Sequence, residues 1–150
     1  MGKKITLKNI KSLVESNVLL YSDTPSFWEP KIRILTSDIK FLLSDGKTLY
    51  IKKGFEWDEV SVPYIFQWVF PKSGKYAISA LVHDALYYAQ YKSQKFADNE
   101  FKKWMDVTIN PNQSFIRWLF VRVFGYIYWS KNSRNPGSRL LWNQGLIKIK

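Results

Sequence analysis

Cysteine is absent from this chain, and histidine occurs once. Without thiols there is no disulfide, no thiolate metal site and no covalent cysteine catalysis. A lone imidazole confines any histidine chemistry to one position. Long apolar runs are missing too. The longest, Phe115 to Trp129, is interrupted by Arg117, Arg122 and Gly125 and falls short of the roughly 20 residues that a spanning helix needs. Met1 to Tyr21 has lysines near its front but neither an unbroken apolar core nor a small-residue cleavage site, so no signal peptide is expected. No low-complexity tract and no repeat of solenoid period is present. Acidic residues are scarce, 12 Asp+Glu against 23 Lys+Arg, for a net charge of +11 over 150 residues.

What is abundant is aromatic: Trp 7, Tyr 9 and Phe 10. Basic charge together with aromatic surface suits an anionic partner, whether nucleic acid, a phospholipid headgroup layer or an acidic protein surface. A chain of this size buries roughly two-thirds of the surface its unfolded form exposes, enough for one domain over residues 1–150 without covalent staples.

The hydropathy pattern changes once along the chain. Over about 31–63 it reads as strands and a loop. Lys31–Leu35 alternates polar and apolar residues, Ile39–Leu43 and Thr48–Ile51 follow, and Asp45-Gly46 between the last two is a hairpin turn. A small antiparallel meander is expected, then a loop from Gly54 to Pro63. Residues 75–105 read as a helical hairpin. Lys75–Tyr91 places Ile78, Leu81, Val82, Ala85 and Leu86 at helical spacing, and Phe96–Met105 follows a short polar turn. A third helix is expected over 114–129, with its aromatics in the core and Arg117 and Arg122 emerging. The fold class is therefore α+β, strands first and helices after. No Asp or Glu follows Asp106. The tail over 130–150, with Trp129, Lys131, Arg134, Arg139 and Trp142, reads as an irregular basic and aromatic docking segment for an anionic partner.

Chemistry concentrates at His83-Asp84, in the middle of the first helix among apolar neighbours. Two titratable groups there are costly unless paired or functional. Asp98 lies on the second helix. The hairpin register allows a His83–Asp98 hydrogen bond without compelling it. A histidine so held can take a proton from water as a general base, while a carboxylate on its other ring nitrogen fixes the tautomer. Asp84, about 100° round the helix, points elsewhere and suits a hard cation such as calcium. The alternative is a buried polar network that sets helix register. Asp58 and Ser61, in the loop, are a further ligand and donor, or else the caps of a turn. A serine nucleophile at Ser61 lacks the GxSxG elbow.

The strings His83-Asp-Ala-Leu-Tyr87 and Ala97-Asp-Asn-Glu-Phe101 resemble the HDxxY and ADxxF patterns of viral secreted-type phospholipase A2 enzymes. That resemblance implies His83 as base, Asp84 as calcium ligand, Asp98 as the group that orients the histidine and Tyr87 as its support. The glycine-rich calcium loop of those enzymes has no counterpart; the nearest segment, Phe70 to Gly74, has one glycine.

A wider set of motifs runs in order from Leu49 to Trp129: Gly54-Phe55, Asp58-x-x-Ser61-x-Pro63, His83-Asp-Ala-Leu-Tyr87, Ala97-Asp98, and Phe124-Gly125 followed by Trp129. It resembles a small phage and prophage family known as domain of unknown function 1353. The resemblance implies a bacteriophage origin, a place in the virion or the infected host cytoplasm, and other phage proteins as partners. Three functions are compatible with these residues: a small hydrolase, a virion structural or assembly protein, and a nucleic-acid binder supported by charge alone.

Overall fold

The computed structural model describes residues 3–5, 9, 21–23, 32–58, 77–134 and 144–150. The chain is α+β. Strands β1 (Lys3–Ile5), β2 (Tyr21–Asp23), β3 (Ile32–Leu35), β4 (Ile39–Leu42), β5 (Thr48–Ile51) and β6 (Glu56–Asp58) precede helices α1 (Ala77–Ala89), α2 (Gln94–Thr108) and α3 (Pro111–Arg134), and strand β7 (Ile147–Ile149) follows them.

β4 and β5 form the expected antiparallel hairpin, with Ile39 opposite Ile51 and Phe41 opposite Leu49. Gly46 takes φ +81° at its turn, a conformation that side-chain-bearing residues rarely adopt. Alternation buries Ile39, Phe41, Leu49 and Ile51 and turns Leu42 and Tyr50 outward. The strand that precedes the hairpin does not continue a meander. It lies in a second sheet, of order β2-β3-β6, antiparallel to both neighbours, and Thr36–Asp38 carries the chain from there to β4. Leu35 N–H donates to the Phe55 carbonyl at 2.9 Å, and Gly54 N–H to the Leu35 carbonyl at 2.8 Å. Glu56–Asp58, expected in a loop, is thus a strand. Three residues about the buried Trp57 are too little alternation to reveal it. The first sheet has order β1-β4-β5-β7, with β1 parallel to β4 and β7 antiparallel to β5.

α1 ends where Gln90 enters the left-handed region (φ 51°). Tyr91 N–H then bonds back to Leu86 and Gln90 N–H to Tyr87, a Schellman closure. Ser93 caps α2 by accepting from Phe96 N–H at 3.2 Å. Asn110 caps α3 through Asn112 N–H at 2.9 Å. Pro111 therefore begins α3 at its first turn, where a missing N–H costs nothing, and the helix starts earlier than 114. It also runs on to Arg134, so the first residues of the supposed irregular tail are helical.

The core lies between the strands and the α1–α2 pair. Phe41 meets Trp104 edge-on at 5.3 Å, and Phe55 meets Tyr88 at 5.8 Å. Polar clamps join sheet to helices at the β4–β5 turn. Glu100, buried on α2, accepts from Ser44 N–H at 2.8 Å and from the Trp104 indole at 3.2 Å. Asp45 accepts from the Tyr91 hydroxyl and pairs with Lys92, both at 2.7 Å. Partial burial pushes the Asp45 carboxyl up, but hydrogen bonds from Lys92, Tyr91 and Lys47 outweigh it and hold the pKa at about 2.

Candidate functional site

α1 is apolar on most of its circumference, so it packs against both the sheets and α2. His83 and Tyr87, four residues apart, share one face of it and point at α2. Asp98, on the first turns of α2 and wholly buried, meets them both. His83 Nε2 lies 2.8 Å from Asp98 Oδ1, and the Tyr87 hydroxyl donates to the same oxygen at 2.7 Å. The hairpin therefore makes the contact that its register allowed. Asp98 Oδ2 accepts from the Arg122 guanidinium of α3 at 2.8 Å. One carboxylate thus ties three helices together.

Arg122 is the member that the sequence did not reveal. Arg117 and Arg122 of α3 were expected to emerge. Instead Arg117 is buried, its guanidinium donating to the Gln113 carbonyl at 3.3 Å, and Arg122 turns toward Asp98. The available signal was two cations inside an otherwise apolar helix, which need partners as much as His83 does.

Because Asp98 already accepts from a hydroxyl and a guanidinium, the imidazole Nε2 is its third donor. In the neutral ring Nδ1 then keeps the lone pair. Nδ1 faces Asp84 Oδ1 at 3.7 Å, an electrostatic contact beyond hydrogen-bond length. Burial by itself pulls the His83 pKa down, but the two carboxylates outweigh it and the net shift is upward. The ring is held between Tyr87 and Phe101, with centroids at 4.2 and 4.9 Å. Burial, and then the adjacent Asp98 charge, push the Tyr87 phenol well above its ordinary value, so it stays a donor.

α3 completes the wall. Trp129 meets Tyr87 edge-on at 5.1 Å, and Gly125 lets the Tyr87 hydroxyl approach so closely that a Cβ at that position would overlap it. Trp129 is therefore half-buried against the site. Lys131 is exposed near the end of α3, and Arg134 is its last residue. Arg139, Trp142 and Ser61 lie outside the described residues, as do Phe70 to Gly74, and Asp58 is described only as part of the β6 backbone.

Among the described residues no three His, Asp or Glu side chains form a group that could hold a metal ion. Asp84 contributes one carboxylate beside His83, which is not by itself the ligand set that calcium takes. What the described side chains do provide is an imidazole oriented on one nitrogen by a buried carboxylate and basic on the other.

No curated protein and no solved structure matches the chain. A family model described as "Protein of unknown function (DUF1353)" matches residues 34–121, from the end of β3 to the residue before Arg122. The match takes in His83, Asp84, Tyr87 and Asp98 and more than half of the 150 residues, so this chain belongs to the DUF1353 family.

Proposed function

We propose that the chain is a bacteriophage-derived His–Asp hydrolase of phospholipase A2-like type that cleaves an ester at a membrane or envelope, in the virion or the infected host cytoplasm. The observation that carries this reading is the 2.8 Å contact of His83 Nε2 with a buried Asp98, supported by Tyr87. In that arrangement Nδ1 accepts a proton from water as the water oxygen bonds to the ester carbonyl carbon. Asp98 stabilises the imidazolium so formed, and the imidazolium returns its proton to the leaving alkoxide as the ester C–O bond breaks. The phage origin rests on the motif order from Leu49 to Trp129, and the lipid-ester class on the HDxxY and ADxxF resemblance.

The test is fatty-acid release from phosphatidylglycerol micelles, with calcium and with chelator. Wild type is expected to turn over and His83→Gln to lose about 10²-fold or more, with its helical circular dichroism intact. If calcium acts through Asp84, Asp84→Asn removes the calcium response alone. A wild type that releases no fatty acid under either condition overturns the reading.

A second reading is favoured by the complete use of Asp98 by three donors: a phage structural or assembly protein in which the network fixes helix register. It requires the chain in purified particles, and its absence there counts against it.

A further inference from the structure

The outward side of α3 is the most unusual surface of the molecule. Phe115, Leu119, Val123 and Ile127 recur every four residues, flanked by Ile116 and Tyr126, and all six are exposed. Leu119 is 47 %, Val123 61 %, Tyr126 59 % and Ile127 64 % accessible. The charged residues of the same stretch, Arg117 and Arg122, face inward. A helix that is normally polar outside and apolar inside is here reversed, and contiguous apolar surface of this kind marks a contact face.

We infer that this face of α3 docks onto a lipid bilayer bearing anionic headgroups, with the helix parallel to the membrane plane. No helix among the described residues is long and apolar enough to cross a membrane, which leaves the in-plane orientation. The surface fits that occupant by charge and by chemistry. No acidic residue occurs from Val107 to Lys150, Lys131 is exposed beyond the apolar strip, and the whole chain carries +11. The exposed phenols of Tyr126 and Tyr128 suit the headgroup boundary, where a ring is half in hydrocarbon and half in water. A second copy fits less well, because pairing two α3 helices brings two +11 chains together with no carboxylate on either helix to offset them. The inference does not depend on hydrolysis.

The experiment is co-sedimentation of the full-length chain with vesicles of phosphatidylglycerol and phosphatidylcholine, and with phosphatidylcholine vesicles alone. Binding to the anionic vesicles, weakened by salt, is expected, together with a monomer by light scattering. The double variant Leu119→Asp, Val123→Asp is expected to lower the partition by about tenfold or more while leaving the melting temperature in place, because both side chains are exposed. Leu42→Asp, also at an exposed position but on β4, is expected to bind as wild type does. Failure to bind anionic vesicles, undiminished binding by the double variant, or a dimer that the double variant dissolves overturns the inference. The partition is read without turnover, so it fails or holds separately from the hydrolase.

Discussion

Asp98 is the residue on which most depends. It has no exposed surface and three charged or polar neighbours, one from each of two helices beside its own and a second from α1. Its removal leaves the partly exposed Arg122 without its counter-charge and the buried His83 with Asp84 alone. Breaking a buried pair from one side costs about 3–5 kcal/mol. Asp98→Ala is therefore expected to melt roughly 6–20 °C below wild type, measured by calorimetry. Tyr87→Phe, which removes one hydrogen bond to a charged acceptor, is expected to cost about 1.5–3 kcal/mol. His83 sets a pH dependence of definite sign. Its folded pKa is raised above 6.5, so the stabilisation it contributes is fully present below 6.5 and is lost as pH rises through the folded value. The urea midpoint of wild type is expected to fall as pH rises from 6.5 through the folded value, and that limb to flatten in His83→Gln. The same titration makes hydrolysis rise with pH over that window, because the base must be neutral. His83 and Asp98 were legible because they sit on two strongly periodic helices joined by a short turn, and Tyr87 only through the HDxxY resemblance. Arg122 was not, because it sits on a helix whose facing the periodicity left undetermined.

At the scale of elements, α1 and α2 were placed within a few residues because both carry apolar residues at helical spacing without Gly or Pro and are separated by a short polar turn. Over 115–129 α3 is apolar all round, and Arg117 and Arg122, five positions apart, define no polar stripe. The expected orientation was consequently reversed in large part: Ser114, Arg117, Val121 and Gly125 face the protein, and Phe115, Phe124, Tyr126 and Tyr128 face out. Gly125 shows why this face must turn inward. Only a residue without a Cβ lets α3 close over the Tyr87 hydroxyl, and Gln94 crowds the same position. Gly125→Ala improves intrinsic helix propensity by about 1 kcal/mol, yet the added methyl displaces Tyr87 or lifts α3. Overpacking of this kind costs about 1–3 kcal/mol. The expected outcome is a net loss of stability together with loss of the Tyr87–Asp98 bond, seen as an altered pH dependence at His83. A variant more stable than wild type would show that α3 does not bear on Tyr87 at all.

For the whole molecule, the first sheet gathers strands from residues 3–5, 39–51 and 147–149, so its assembly needs contacts across the full length of the chain. Strands of three residues carry almost no periodic signal, which is why β1, β2, β6 and β7 were not legible while the β4–β5 hairpin was. β7 nevertheless covers the edge of the hairpin. Thr48 and Lys150 exchange two backbone hydrogen bonds, at 2.8 and 3.1 Å, Lys52 N–H donates to Leu146 at 2.9 Å, and half-buried Ile147 and Ile149 pack on the core. At about 0.5–1.5 kcal/mol net per hydrogen bond plus the isoleucine burial, removal of residues 147–150 is expected to cost on the order of 3 kcal/mol. It also leaves the β5 edge open, and an open edge pairs with other chains. The truncated chain is therefore expected to melt several degrees lower and to associate with rising concentration, whereas Ile149→Asp at full length lowers the melting temperature while its edge stays paired. A truncated chain that melts with the full-length one and stays monomeric would mean that β5 is protected by something other than β7.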